Sequence, residues 1–369
     1  MKYYIIAGEA SGDLHGSNLI RELKKLDGAA DIRCWGGDLM KEAGGDLVKH
    51  YRDLSFMGFA EVVKNLGTIL RNLKFCKKDI LQFQPDTLIL IDYPGFNLRI
   101  AKWAKQQGLK VIFYISPQVW AWKENRVKMM KENIDKMLVI LPFEKEYFKN
   151  KWDWEVEYVG HPLAEVIERH KVQSKRQKIS DKPIIALLPG SRKQEISKKL
   201  PIMMEVSKFF PDHQFIVAQA PSVEDEFYKH LVQQYPNAGI LKNQTYDLLL
   251  QAKAALVTSG TATLETALFS VPEVVCYKGS SISYQIAKRV IRVKYISLVN
   301  LIMDKPVVKE LIQYDLTAEN LNLELHELLT NESKIDKIKK DYEELKRILS
   351  EGGNASFKAA ASIVNFLSQ

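Results

Sequence analysis

The chain has 369 residues, more than one ordinary domain needs, and its 46% hydrophobic and 27% charged residues exclude a disordered or fibrous protein. A net charge of +8 favours an anionic partner, whether a phosphorylated substrate, a membrane surface or nucleic acid. Cys34, Cys76 and Cys276 lie too far apart for a zinc or redox motif and fit a reduced compartment.

The opening segment, MKYYIIAGEASGD, carries an apolar run too short for a signal peptide and reads instead as a strand. No stretch reaches the roughly 18 uninterrupted apolar residues of a membrane span. The expectation is a cytoplasmic protein, one still able to lie on a membrane.

Tyr3–Ala7, Asp86–Ile91, Val111–Ile115 and Met137–Ile140 read as buried strands, with helical spacing over 14–26, 96–107 and 122–132. Strands alternating with helices predict βαβ units and a parallel, doubly wound sheet. The polar, basic stretch 168–183 reads as an inter-domain connection. The rhythm resumes at PIIALLPGSR (183–192), FIVAQ (215–219), AALVTSG (254–260) and PEVVCY (272–277). From about Thr317 the chain is helical, broken at Gly352-Gly353-Asn354 before a last apolar helix, Ala355–Leu367. The predicted fold is α/β, two Rossmann-like domains facing across a cleft with a C-terminal helical tail. Its expected parts are 1–167, 168–345, and a tail over 346–369 that packs back on an N-terminal domain. Ligands of such sheets bind outside the carboxyl ends of the strands, where the candidate motifs fall.

The first strand turns into IIAGEASGDLHG (5–16), which lacks both the dinucleotide fingerprint and the P-loop spacing. Ser11 or Asp13 can cap the following helix; alternatively, Glu9 and Ser11 bind sugar hydroxyls. In 59–78, Phe59, Val62, Val63, Leu66, Ile69, Leu70 and Leu73 form one helical face flanked by Lys64, Arg71, Lys74, Lys77 and Lys78. Such a stripe either packs on a core or meets lipid and acyl chains. In LILIDYPGFN (88–97), Asp92 stands at the rim of a wholly apolar strand, where it caps the next helix or moves a proton in a cleft. SPQVWAWKENR (116–126) sets Trp120 and Trp122 beside Lys123 and Arg126, as core aromatics or as an acceptor-binding loop.

In LLPGSRKQEI (187–196), Gly190 lets backbone approach a ligand, Ser191 opens a helix whose free amides suit an anion, and Arg192 adds a guanidinium fork matched to phosphate. TSGTATLETAL (258–268) repeats the device: Ser259, Gly260 and Thr261 start a second helix, and Glu265 lies one turn in, able to accept from ribose hydroxyls. The plain alternative is ordinary capping at both turns. Two anion-ready helix starts in one domain favour a diphosphate nucleotide. The histidines form no H-x-x-x-H pair and no D-x-D is present, so no metal or other cofactor is expected. A departing diphosphate would then rest on amides and Arg192.

Taken in order, AGEASGD, IDYPGFN, SPQVWAWKENR, LPFEKEYF, YVGHP, LLPGSRKQEI, SGTATLETAL and YISLVNLI resemble the landmarks of bacterial lipid-A-disaccharide synthases, from about residue 5 to residue 311. The resemblance implies a metal-independent inverting glycosyltransferase joining UDP-2,3-diacylglucosamine to 2,3-diacylglucosamine 1-phosphate. The products would be UDP and a β-1,6-linked tetraacyl disaccharide 1-phosphate. It also implies a first domain that binds acceptor and lipid, a second that binds UDP-sugar, and a place on the cytoplasmic face of the inner membrane. Tail exchange within a homodimer is a further implication. Asp92 matches the position of the general base. Arg192 and Glu195 fall on the Gly-Ser-Arg loop, Ser259 to Thr261 and Glu265 on the nucleotide turn. Asn300 joins Glu9 and Ser11 as a cleft position. Tyr93, Gly95, Lys193 and Gln194 depart from common family residues. With acylated substrates, the 59–78 face has a reason to meet membrane or acyl chains. Rival readings are a UDP-N-acetylglucosamine 2-epimerase of the same two-domain plan, and a basic protein tethering anionic lipid or RNA. No RNA-binding module is visible to support the latter.

Overall fold

The computed structural model describes residues 1–54, 66–174, 177–221, 223–280, 284, 293–351 and 353–369. The chain divides into two compact units, Met1–Pro162 with Ser350–Gln369, and Leu163–Leu349. The divisions fall five residues before, and four after, the boundaries expected from composition: the first coincides with the start of the helix Pro162–Gln173, the second with the end of the helix Glu332–Leu349. The basic stretch after 168 is partly helical, within Pro162–Gln173.

The first unit holds β1 (Lys2–Ala7), α1 (Ala10–Leu26), β2 (Asp31–Gly36), α2 (Asp38–Glu42), β3 (Asp46–His50), α3 (Leu66–Phe83) and β4 (Thr87–Ile91). It continues with α4 (Pro94–Gln106), β5 (Lys110–Tyr114), α5 (Arg126–Asn133), β6 (Lys136–Val139), α6 (Pro142–Trp152) and β7 (Glu157–Tyr158). Its seven strands are parallel in the order β3-β2-β1-β4-β5-β6-β7. Every residue of β4 is buried, as expected of a parallel strand covered on both faces. Register aligns Ala7 with Ile91 and Ile91 with Tyr114, so β1, β4 and β5 stop at one edge.

The second unit holds α7 (Pro162–Gln173), β8 (Ile184–Leu188), α8 (Lys193–Glu205), β9 (Gln214–Gln219), α9 (Asp225–Val232), β10 (Ala238–Lys242), α10 (Thr245–Leu249) and β11 (Ala252–Thr258). Then come α11 (Thr261–Leu268), β12 (Glu273–Tyr277), α12 (Leu298–Met303), β13 (Lys309–Ile312), α13 (Ala318–Thr330) and α14 (Glu332–Leu349). These strands too are all parallel, in the order β10-β9-β8-β11-β12-β13. In each sheet the strand order reverses beside the first strand, which makes β1/β4 and β8/β11 the switch points where ligands of such sheets bind.

The last helix, α15 (Ala355–Leu367), returns to the first unit and packs on α1. Asn354 caps it by accepting from Phe357 N at 2.7 Å. Ala355, Ala359, Ala360 and Ile363 form its buried face. Ser362 Oγ donates to Glu157 Oε2 at 2.5 Å, and the Phe366 ring lies 5.3 Å from Lys110 Nζ and 5.6 Å from Lys136 Nζ. Among the described residues no helix is long and apolar enough to cross a membrane.

Candidate active site

In the first unit, three carboxyls gather at the carboxyl ends of β1, β4 and β6. Glu9 follows β1 in extended backbone and takes the N-cap position of α1 without a side-chain capping bond. Neither Ser11 nor Asp13 caps that helix. Ser11 is exposed, and Asp13 instead accepts from Gly37 N, Leu39 N and Met40 N, fixing the start of α2. A buried carboxylate satisfied by three amides is a structural brace.

Asp92 is the first residue beyond β4. The cap position of α4 belongs to Tyr93, so Asp92 lies one residue outside it. Asp92 (φ 43°) and Tyr93 (φ 48°) are both left-handed, a conformation costing roughly 1–2 kcal/mol for each non-glycine residue. The surroundings enforce it. Asp92 N donates to Tyr114 O at 3.2 Å, and Asn97 Nδ2 donates to Asp92 O at 2.8 Å. Tyr93 Oη donates to Leu54 O at 3.0 Å. Consecutive strained residues of this kind persist only where the surroundings over-determine them, and they cluster at functional turns. Burial, reinforced by the like charge of Glu9, pushes the Asp92 carboxyl up to about 7 against the opposing Tyr93 amide.

Glu144, in the first turn of α6, is the residue that sequence reasoning missed. It is fully buried and accepts from Leu141 N at 3.0 Å and from Trp120 Nε1 at 3.1 Å. Burial pushes its carboxyl up to about 8, and the charge of Asp92 adds to the rise. Its signal in the sequence was a glutamate in the first helical turn, two residues after Pro142 at the end of a strand, where it can accept from the Leu141 amide. Through Trp120 it anchors the loop after β5, while Trp122 is turned outward with Lys123 Nζ 4.1 Å from its ring. The two tryptophans therefore play different parts: one is a half-buried anchor, the other a surface ring with a cation on it.

The second unit supplies the two anion-ready turns. Gly190 has φ +119°, a conformation only glycine adopts freely, and Ser191 and Arg192 are exposed before α8. Arg192 Nη1 lies 3.3 Å from Glu195 Oε1. After β11, Gly260 (φ +128°) caps α11, and a Cβ there would meet no atom within 4 Å, so the turn is open. Ser259 Oγ donates to Ile296 O at 2.8 Å, and Thr261 is exposed at the helix start. Burial raises the Glu265 carboxyl, while Tyr246 Oη donates to its Oε1 at 2.9 Å.

Asn300 spends its amide within the unit. Its Nδ2 donates to Val308 O and Glu310 Oε1, each at 2.9 Å, and its Oδ1 accepts from Val308 N at 2.9 Å. Both halves of the amide are consumed within the unit. Glu310 also accepts from Ile296 N and Ser297 N, so Asn300 supports the Ser259 turn at one remove.

The apolar face over 59–78 is divided. Phe59, Val62 and Val63 lie outside the described residues, as does the side chain of Leu66. Leu73 is buried in the core and Ile69 packs against it, which corrects the expectation of lipid contact for those two: the sheet covers that side of α3. Leu70, Phe75 and Leu81 remain exposed at 57%, 46% and 53%.

The family model described as lipid-A-disaccharide synthetase matches residues 3–364. The chain is 37% identical over 372 residues to the lipid-A-disaccharide synthase of Geobacter metallireducens, covering 98% of this chain and 96% of that one. It is 37% identical over 335 residues to the enzyme of the same name from Coxiella burnetii, covering 89% and 88%. Among solved structures, UDP-GlcNAc 2-epimerase from Neisseria meningitidis bound to UDP-GlcNAc superposes with a TM-score of 0.68 at 14% identity, covering both chains fully. The calicheamicin glycosyltransferase CalG4 gives 0.63 at 16% identity, covering 100% of this chain and 98% of that one. The two structures share the fold, a GT-B-like pair of parallel α/β sheets.

Proposed function

The chain belongs to the lipid-A-disaccharide synthase family, glycosyltransferases of lipid A biosynthesis, and on that premise we propose that Asp92 is the general base of an inverting, metal-independent transfer. The donor is UDP-2,3-diacylglucosamine and the acceptor 2,3-diacylglucosamine 1-phosphate. The acceptor O6–H bond breaks and its proton passes to the Asp92 carboxylate. O6 bonds to the anomeric carbon from the face opposite UDP. The bond from that carbon to the diphosphate oxygen breaks, and its electron pair leaves with UDP. A base poised near neutrality suits this step, since a useful fraction is ionised yet retains affinity for a proton. The single supporting observation is the Asp92 carboxyl, raised to about 7 on a strained turn at a switch point.

In this reading the second unit binds the nucleotide. Amides at Gly190, Ser191, Gly260 and Thr261, with Arg192, hold the diphosphate, and Glu265 meets the ribose. Glu9 and Ser11 line the acceptor side of the first unit. The exposed Leu70, Phe75 and Leu81 of α3, with Lys74 and Lys78 beside them, lie in the cytoplasmic face of the membrane from which acylated sugars are drawn. Exchange of α15 between two copies gives a homodimer in this reading, and a molar mass by light scattering tests it.

Incubation with both acylated sugars in the presence of a chelator should release UDP and yield a β-linked disaccharide. The epimerase-like fold favours one rival, and conversion of unacylated UDP-N-acetylglucosamine to its 2-epimer, with no disaccharide formed, would replace this reading by that one.

A further inference from the structure

Lys199 lies one helical turn beyond Glu195 on α8, turned inward with Ile196, Leu200 and Met203. Only 4% of its side chain is exposed. Burying an ammonium costs several kcal/mol, on the order of what only a close counter-charge offsets. Its partners among the described residues supply little of that. Nζ donates to the neutral Thr258 hydroxyl, and the nearest carboxylate oxygen, Glu195 Oε2, is 4.0 Å away. Burial holds the amine below the usual lysine range, with Glu195 acting in opposition.

This ammonium faces the Gly190 turn. A Cβ placed on Gly190 would come within 3.5 Å of Nζ and 2.8 Å of Glu195 Oε2. Thr258 is the last residue of β11, so the amine stands where the β8 and β11 turns meet. Glu195 lies between two cations, with Oε1 3.3 Å from Arg192 Nη1 and Oε2 4.0 Å from Lys199 Nζ. Its carboxylate presents paired anionic oxygens to an arginine fork and a buried amine, as a phosphate group would.

We propose that Arg192 and Lys199 together form the seat for the nucleotide's diphosphate, and that the Glu195 carboxylate competes for that seat until binding displaces it. This rests on the reading of the second unit as the UDP-sugar unit. It makes Glu195 an opponent of the anion it was expected to help bind, and it adds a cation that the Gly-Ser-Arg motif does not contain.

Titration calorimetry of the full chain with UDP and UMP separates the possibilities. Lys199→Met, which keeps the shape and removes the charge, should weaken UDP roughly 10- to 100-fold, the loss of one buried charge-assisted bond, and UMP much less. Glu195→Gln should tighten UDP about 2- to 5-fold, the value of one exposed ion pair. If Lys199→Met leaves the UDP-to-UMP ratio unchanged, or Glu195→Gln weakens UDP, the proposal is wrong. Glu195 is partly exposed, so its variant decides the matter even if Lys199→Met does not fold. A wild-type chain that binds neither nucleotide overturns the nucleotide reading itself and this proposal with it.

Discussion

The ring of Tyr93 lies directly against the backbone of Gly8: a Cβ built on Gly8 would fall 2.3 Å from two of its carbons. The contact joins the turn after β1 to the turn after β4, and so sets Glu9 against Asp92. Gly8→Ala must displace that ring and with it the left-handed pair at 92 and 93. Overpacking of this kind costs about 1–3 kcal/mol. A lowered melting temperature together with reduced turnover is expected, and an unchanged melt would refute the account of the turn.

Asp92→Asn should lower turnover by about 10²–10⁴-fold, the usual range for a lost general base. In the parent chain only the ionised carboxylate can accept the proton. Activity, as kcat/KM, should therefore rise with pH through about 7 and level off above it. Because Glu9 contributes to the raised value, Glu9→Gln should move the acidic limb to lower pH. A limb that stays in place would show that the two carboxyls do not interact.

With its carboxyl pushed up to about 8, Glu144 is mostly neutral at pH 7. Leu141 N and Trp120 Nε1 bond to different oxygens of Glu144, so glutamine, with one carbonyl oxygen, keeps an acceptor for only one of them, whereas alanine strands both. Each stranded donor costs about 1–3 kcal/mol. Thermal melts should rank Glu144→Gln below the parent and Glu144→Ala below both. Equal losses would mean that the hydrogen bonds contribute little.

Glu273 lies on β12 with both oxygens buried and only the Thr266 hydroxyl near enough to ease the charge. Burial raises its carboxyl well above the ordinary value. The folded state therefore holds the proton more tightly than the unfolded chain does. The resulting stability is complete below the unfolded value, about 4.3, and is lost as pH rises through the folded one. Glu273→Gln should flatten that decline and melt higher than the parent at pH 8. A parent chain no less stable at pH 8 than at pH 5, matched by the variant, would contradict the assignment.

If α3 lies on a lipid surface, the chain should float with anionic vesicles through Leu70, Phe75 and Leu81. Leu70→Glu combined with Leu81→Glu should abolish flotation while leaving the melt nearly unchanged, because both side chains are exposed. Undiminished flotation would place membrane contact elsewhere.

Strands covered on both faces were legible because they are apolar nearly throughout: β8 is an unbroken run, and β4 is one from Leu88 on. The edge strands β3 and β10 were not seen, for they are only partly covered and end in His50 and Lys242. In β2, Arg33 interrupts the apolar pattern because it reaches Asp46 and Asp79. The turns bearing Asp92, Gly190 and Gly260 stood out through glycine or proline at strand ends. Glu144 did not, since its importance comes from Trp120, which is distant in sequence. Lys199 had a readable signal, a cation within the inward stripe Ile196, Leu200 and Met203, but the flanking lysines disguised it. Asn300 matched a motif whose spacing does not reveal that its amide is consumed internally.

The return of α15 to α1 carries a consequence for biosynthesis. A ribosome must make the whole stretch from 163 to 349 before the partner of α1 emerges. At about 5–20 residues per second, the nascent amino-terminal lobe waits on the order of 10–40 s with that apolar groove uncovered. A messenger truncated before codon 355 yields a polypeptide whose earliest-made part never gains the helix that covers α1.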